Sequence, residues 1–170
     1  MRKGDFLVAL LVVVAVAGCR KPIRIKSPAQ PTIQVHPEIR TLIDLVNKHR
    51  KSVGCKDLEW STPIADVARR HSEQMITLGF FDHRNPAGQT PFQRLDAAGI
   101  RYSKAAENIA AGPKTAQQVL SSWLGSRGHR RNIEDCDFRE HGIGLVPGKP
   151  TVPIGGIHYA WTHIFTRPRL

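Results

Sequence analysis

The chain has 170 residues, a formal net charge of +11 at pH 7 and 41% apolar residues. This length fits one domain with a targeting segment and a linker, and the apolar content excludes a wholly disordered chain. Three cysteines are too few for a disulfide-dense mini-protein, and the sequence has no collagen period, heptad array or solenoid repeat.

The N-terminal segment is typical of an export signal. Arg2 and Lys3 precede an apolar stretch that is shorter than the roughly 20 residues a membrane-spanning helix needs. Small residues then precede Cys19, which resembles the bacterial lipobox, where the cysteine is acylated and becomes the new N-terminus. Two or three acyl chains hold a protein firmly on a bilayer. We therefore predict a lipoprotein signal peptide at residues 1–18 and lipidation of Cys19; an ordinary signal peptide with a chance cysteine is the alternative.

Residues 19–35 are predicted to form a proline-rich, basic tether between the anchor and the folded domain. The segment is poor in core residues, so it should be extended and solvated. Its prolines and basic residues are Pro22, Pro28, Pro31, Arg20, Lys21, Arg24 and Lys26. Basic side chains beside anionic headgroups contribute about 1 kcal/mol each. The domain is then predicted at residues 36–170.

The first part of this domain is predicted to be helical. Capping residues and prolines open four helices, at Pro37, Ser61, Thr90 and Thr115. Glycines end the first three, at Gly54, Gly79 and Gly99. In the second helix the apolar residues recur at spacings of three and four, and His71 falls among them. His71 is therefore predicted to lie on the buried face.

The C-terminal third changes to strands. Residues 141–146 and 157–165 are rich in β-branched and aromatic residues, and Leu58 to Trp60 is predicted as a short edge strand. Helices followed by paired strands give the α+β class, with helices packed on an antiparallel sheet.

Two cysteines remain after cleavage and lipidation, Cys55 and Cys136. In an oxidising compartment an even pair predicts one disulfide, which would tie the early helical region to a late loop. Two unpaired thiols are the alternative.

Several polar residues are candidates for a site. His83 follows an aromatic pair in a loop and should lie near a surface or cleft, whereas Glu107 lies in an apolar segment, where a carboxylate costs energy unless it is paired. The histidines that could gather around Glu107 are His71, His83, His129, His158 and His163. Imidazole and carboxylate groups suit a divalent metal such as zinc. No local spacing establishes a metal site, and a buried histidine network that orders the core is the rival interpretation.

Other chemistries find less support. The sequence has no GxSxG nucleophile motif and no glycine-rich phosphate loop after a strand, and Glu107 has no evident acidic partner for two-carboxylate hydrolysis. A pI near 10.2 fits a phosphate-rich partner, but the positive charge is dispersed along the chain. Together with the export signal, this favours anionic envelope polymers or lipids as partners, and no nucleic acid.

A series of ordered motifs resembles the bacterial branch of the CAP family, the SCP domain of cysteine-rich secretory, antigen 5 and pathogenesis-related 1 proteins. The motifs are His71-Ser72, Phe81-Asp82-His83, Pro91-Phe92 with Arg94, Ala106-Glu107-Asn108-Ile109-Ala110, Gly128-His129-Arg130, Gly142-Ile143-Gly144 and Trp161-Thr162. The resemblance implies an α-β-α sandwich with a central antiparallel sheet flanked by helices. It also implies a cavity in which two histidines and two acidic residues can hold a divalent metal.

The motifs place His83 and Glu107 at the first histidine and first acid of that cavity. Ser126 stands at the position of the second acid and Ala160 at that of the second histidine. The complete tetrad is therefore absent by position, and zinc or magnesium is the candidate cofactor of an altered site. The candidate residues for a metal or cavity are His83, Glu107, His129, His71 and His158.

The resemblance leads to one functional prediction with alternatives. We predict an exported lipoprotein, anchored to a bacterial membrane and facing outside the cytoplasm, whose cleft acts as a non-enzymatic binding module. The enzymatic alternative is a protease-like, metal-dependent hydrolase, in which His83 and His129 hold a metal that activates water and Glu107 is the general base. In a third hypothesis the polar cluster only rigidifies the core.

Overall fold

The computed structural model describes residues 35–148 and 158–169. The predicted signal peptide, the lipidated Cys19 and almost all of the tether lie outside these residues, so they stay predictions. In the described part, no helix combines the length and apolar character needed to cross a membrane.

The described part contains five helices and four strands. In chain order the elements are α1 (Pro37–Ser52), β1 (Glu59–Trp60), α2 (Thr62–Leu78), α3 (Pro91–Ala97), β2 (Tyr102–Ala111), α4 (Ala116–Gly125), α5 (Arg127–Glu134), β3 (Glu140–Pro147) and β4 (Tyr159–Pro168). Strands β3 and β4 follow all of the helices as expected, whereas β2, which carries Glu107 and was not predicted as a strand, lies between α3 and α4. The predicted helix starts are confirmed, and Thr90 and Thr115 each form a capping box with a glutamine three residues later.

The strands form one sheet in the order β1-β3-β4-β2. Strand β4 pairs antiparallel with both β2 and β3, whereas the two-residue β1 pairs parallel with β3. The predicted edge strand is confirmed. The sheet is mixed rather than wholly antiparallel, because β1 enters beside β3 in the same direction.

Helices cover both faces of the sheet. One core joins α1, α4 and α5 to one face through residues that include Leu42, Trp123, Ile133, Trp161 and Phe165. A second core joins α2 and α3 to the other face through Ile64, Val67, Ala68, Leu95 and Ile164. Successive β4 residues thus enter opposite cores, as the two-residue period of a strand requires. The predicted α-β-α sandwich is confirmed.

Helix α2 lies directly against β3 because two positions of that strand have no side chain. A Cβ atom at Gly142 would overlap the backbone of Ala65, and one at Gly144 would overlap the backbone of Arg69. These two glycines therefore set the distance between α2 and the sheet, and with it the position of His71 on α2.

The predicted disulfide between Cys55 and Cys136 is present, and it joins the segment after α1 to the loop between α5 and β3. Beside it, the fully buried Arg50 extends from α1 into the same loop. Its guanidinium donates hydrogen bonds to the carbonyl oxygens of Lys56, Ile133, Asp135 and Phe138. The end of α1 is therefore fastened by one covalent bond and four hydrogen bonds.

Candidate functional site

Glu107 is the centre of a polar cluster between β2 and the α2–α3 layer. Its carboxylate side chain is only 2% exposed, and both of its oxygens accept hydrogen bonds. Nδ1 of His83 donates to Oε1 at 2.8 Å, and Nη2 of Arg94 donates to Oε2 at 2.7 Å. The buried charge is therefore paired, which meets the need that the sequence indicated.

His83 lies at the mouth of this cluster, with 46% of its side chain exposed. Its Nε2 makes no hydrogen bond to any residue that the structure describes, so this nitrogen faces outward. The loop that carries it is held by Arg94, whose Nη1 donates to the carbonyls of His83 and Gln89 at 2.9 and 3.0 Å. Glu107 therefore holds the His83 ring and Arg94 holds its backbone, while almost half of the side chain stays accessible.

Arg94 is a site residue that sequence reasoning did not select. It lies on the short helix α3 and is 8% exposed, although arginine is rarely buried without a partner. A signal was present in the sequence, because Arg94 belongs to the motif that begins Pro91-Phe92. Its role became visible only when the fold placed it against Glu107.

His129, on α5, is half-buried on the side of the cluster where His83 lies. Burial lowers the pKa of His129, and the nearby His83 lowers it further. Its backbone is held by Asn108 of β2, whose Nδ2 donates to the His129 carbonyl at 3.0 Å, while Asn132 Nδ2 donates to Asn108 Oδ1 at 2.8 Å. The structure thus brings His129 close to His83.

His71 lies beneath the His83 loop and is fully buried, as predicted. Its Nε2 donates to the carbonyl of Asp82 at 3.0 Å, and its Nδ1 has no partner among the described residues. Burial is the main reason that the pKa of His71 is lowered, opposed by Glu107 and reinforced by Arg94. A neutral His71 therefore supports the loop from below.

The structure does not bring His158 to this cluster. His158 is exposed just before β4, and its carbonyl accepts a hydrogen bond from Gly148. Glu107 on β2 pairs with Ile164 on β4, and Ile164 comes six residues after His158. At the rise of an extended chain, His158 therefore lies roughly 20 Å from the position opposite Glu107.

His163 lies in the core on the other face of the sheet, together with His141. Nδ1 of His141 and Nε2 of His163 are 2.9 Å apart, and both rings are fully buried. Burial, with Arg50 nearby, lowers the pKa of His141 to about 3. Burial also lowers the pKa of His163, and His141 and Arg50 add to that effect. This pair resembles the core-ordering network that was the rival interpretation for the histidines.

The side chains around Glu107 offer few free ligands for a divalent metal. Among residues 35–148 and 158–169, no three His, Cys, Asp or Glu side chains are grouped so as to hold a metal ion. Both oxygens of Glu107 are already engaged, and the cationic Arg94 is one of their partners. Zinc sites normally use three or four protein ligands. The residues in this arrangement therefore do not fit a zinc or magnesium site. Metal binding stays a prediction, which titration with either metal can check.

Comparison with known proteins gives relatives in sequence. The family model described as the cysteine-rich secretory protein family (CAP) matches residues 43–163. YkwD of Bacillus subtilis, an uncharacterized protein, is 36% identical over 107 residues, which are 63% of this chain and 42% of that protein. YlbC of the same organism, an uncharacterized membrane protein, is 31% identical over 125 residues, 74% of this chain and 36% of that protein. The chain thus spans less than half the length of these relatives.

Solved structures share the fold. An extracellular protein of Bacillus anthracis that contains an SCP domain superposes with a TM-score of 0.67 at 29% identity, over 84% of this chain and 45% of the other. An outer surface protein of Borrelia burgdorferi superposes with a TM-score of 0.69 at 18% identity, over 78% of this chain and 93% of the other. The helix-covered sheet is therefore common to all three.

Proposed function

This chain belongs to the cysteine-rich secretory protein (CAP) family, and from that premise we propose that it is an exported, non-enzymatic binding module of the cell envelope. Its ligand site is the cleft around His83, Glu107 and His129. One observation supports the proposal. Both oxygens of Glu107 already accept hydrogen bonds, while the half-exposed His83 ring that it orients has no described partner for Nε2. The arrangement thus offers a fixed contact point.

The hydrogen bond to Glu107 determines what this contact point can do. Because Nδ1 of His83 carries the donated proton, Nε2 is an acceptor when the ring is neutral and a donor when the ring is protonated. A polar headgroup or polymer hydroxyl can bind to either form. Among the described residues, no Ser or Cys side chain contacts His83 as a nucleophile would, so binding is favoured over bond cleavage.

The metal-dependent hydrolase gains no support from this geometry. In that mechanism Glu107 must accept a proton from water, and both of its oxygens are engaged by His83 and Arg94. We therefore do not expect hydrolysis, and observing it would contradict the binding proposal.

The binding site is tested with the full chain in neutral detergent. His83→Ala removes the exposed imidazole, and His158→Ala is the matched control because His158 is exposed and lies outside the cluster. The probes are phosphatidylglycerol and purified anionic wall polymer, in calorimetric titrations. We expect His83→Ala to weaken the binding of one probe about tenfold or more, as loss of a hydrogen bond to a charged group does, and His158→Ala to leave it unchanged.

Two results would contradict this proposal. One is equal binding by wild type and His83→Ala for every probe. The other is hydrolysis of peptide or ester substrates in the presence of zinc or magnesium that His83→Ala abolishes. A calorimetric heat of binding together with a higher melting temperature, on titration with zinc or magnesium alone, would instead support a metal site.

The anchor is proposed separately, from the sequence. The acyl chains on Cys19 hold the domain at the membrane, and the basic tether lies beside anionic headgroups. Metabolic labelling with an alkyne fatty acid should mark the wild type in the membrane fraction. Cys19→Ser should lose the label and leave the membrane fraction, whereas Cys136→Ser should keep the label. Labelled Cys19→Ser would overturn the lipid anchor.

A further inference from the structure

A second recess lies on the other side of Arg94, between α2 and α3. It is a groove of about 270 Å³. Its lining residues are Val67, Arg70, Gln74, Gln89, Arg94, Ala97 and Ala98. None of them is acidic, and the polar ones are two arginines and two glutamines. The groove therefore combines a small apolar wall with hydrogen-bond donors.

The direction of both glutamine amides is fixed by Asn85, which is buried behind them at 6% exposure. The backbone N–H of Gln89 donates to Asn85 Oδ1 at 2.9 Å, so the other end of the Asn85 amide must be the donor. That Nδ2 donates to Oε1 of Gln74 at 3.3 Å and to Oε1 of Gln89 at 3.0 Å. The side-chain oxygens of both glutamines therefore accept hydrogen bonds from Asn85, and their NH2 groups are left to donate to a ligand.

Arg70 adds positive charge to the groove, whereas the charge of Arg94 is already compensated by Glu107. Arg70 is exposed on α2 and forms no ion pair with any residue in the described ranges. Arg94 is 8% exposed, and its Nε is enclosed with no hydrogen-bond partner within the described part. Its Nη1 and Nη2 donate to the His83 loop and to Glu107, so among the described residues Nε is the one nitrogen of Arg94 without a partner. Nε has less than 1 Å² of accessible surface, so it lies behind the groove wall and can report on an occupied groove without touching the ligand.

We propose that this groove binds a phosphoryl oxyanion. Arg70 and the NH2 groups of Gln74 and Gln89 are donors on α2 and the following loop, and a tetrahedral group with several oxygens can accept from all of them. The volume is at the small end of ligand pockets, which limits the ligand to a phosphoryl group with a few further atoms. Its source is a lipid headgroup or a soluble phosphate. The site does not depend on the proposed role of His83.

The test follows the Nε–H resonance of Arg94 by ¹H–¹⁵N NMR in the full chain, held in neutral detergent micelles without phosphate. Inorganic phosphate is titrated first, then glycerol phosphate, then short-chain phosphatidylglycerol mixed into the micelles. We expect a saturable shift with phosphate. Saturation with glycerol phosphate alone identifies a soluble ligand, and saturation with phosphatidylglycerol as well identifies a headgroup.

One variant separates this site from a general attraction of anions to a basic protein. Gln74→Glu keeps the acceptor oxygen for Asn85 but places a carboxylate in the groove, so phosphate affinity should fall at least about tenfold. Gln117→Glu makes the same change of charge on the exposed face of α4 and should leave the affinity unchanged. The proposal is overturned if wild type shows no saturable shift, or if Gln74→Glu binds phosphate as tightly as Gln117→Glu.

Discussion

Arg94 donates from Nη2 to Oε2 of Glu107 at 2.7 Å, and both side chains are less than a tenth exposed. The pair joins α3 to β2, and the same guanidinium donates from Nη1 to the carbonyl of His83. Because each charge has lost its water, each depends on the other for compensation. The position of His83 therefore depends on an ion pair whose removal affects both stability and the cleft.

Glu107→Ala should lower the free energy of unfolding by about 3 kcal/mol, because it leaves the buried guanidinium of Arg94 without its carboxylate. Urea denaturation measures this loss. Glu73→Ala is the control, since it breaks the half-exposed Arg69–Glu73 pair and should cost less than about 1 kcal/mol. Equal losses in the two variants would show that burial does not determine the strength of these pairs.

The buried His141–His163 pair predicts a loss of stability in acid. In the unfolded chain both rings bind a proton near their ordinary pKa of 6.5, whereas in the folded chain the pKa of His141 is about 3 and that of His163 is well below 6.5. Between these values the unfolded state holds more protons, so the free energy of unfolding falls as pH falls from 6.5 toward 3. The stabilisation is complete above pH 6.5, and each ring contributes at most ~1.4 kcal/mol per pH unit.

Thermal or urea unfolding at several pH values tests this slope. His163→Gln removes one of the two rings and should make the dependence of stability on pH shallower, even though lost packing lowers stability at every pH. His158→Gln is the exposed control and should retain the wild-type slope. A slope in His163→Gln as steep as in wild type would remove the buried pair as its cause.

The disulfide should contribute strongly to stability because it closes a long loop. Its cysteines are 81 residues apart, for which the chain-entropy model gives about 4.5 kcal/mol. The double variant Cys55→Ser with Cys136→Ser should therefore unfold at a much lower urea concentration than wild type. A reducing agent should shift wild type toward the double variant and leave the double variant itself unchanged; a shift in both would indicate an effect unrelated to this bond.

Two glycine substitutions should differ strongly in their effect on stability. Gly144→Ala places a Cβ against the backbone of Arg69, so α2 must move away from the sheet, and we expect a loss of more than about 3 kcal/mol. Gly125→Ala, at the end of α4, meets no atom within 4 Å and should be neutral or stabilising by less than about 1 kcal/mol. Circular dichroism melts of the two variants compare them directly; similar melting temperatures would refute the close approach of α2.

Local sequence signals predicted much of the fold. Threonine caps and prolines marked the helix starts, since these residues act within one turn of the chain. Helix α5 was not predicted as a separate helix, because half of its eight residues are arginine or histidine and Ile133 is its only buried residue. The parallel pairing of β1 with β3 depends on a contact across some 80 residues, which no local pattern encodes.

The candidate site was predictable only in part. A carboxylate in an apolar segment indicated that Glu107 needed a partner, and His83 was expected at a cleft. The sequence did not show that Arg94 would be the second partner, because the two residues are on different elements and meet only through the packing of α3 on β2. The sequence also could not show that His158 lies away from the cluster. The distance from His158 to Glu107 depends on the register of β2 and β4, which the sequence does not reveal.

The fastening of α1 has a mechanical consequence. Any tension transmitted along the polypeptide from its N-terminal side enters the domain through α1. That helix is tied at its far end by the covalent link from Cys55 and by the guanidinium of Arg50, which bonds to carbonyls before and after Cys136. Pulling can therefore unravel α1 only as far as this fastening, where the covalent link passes the force to the loop between α5 and β3.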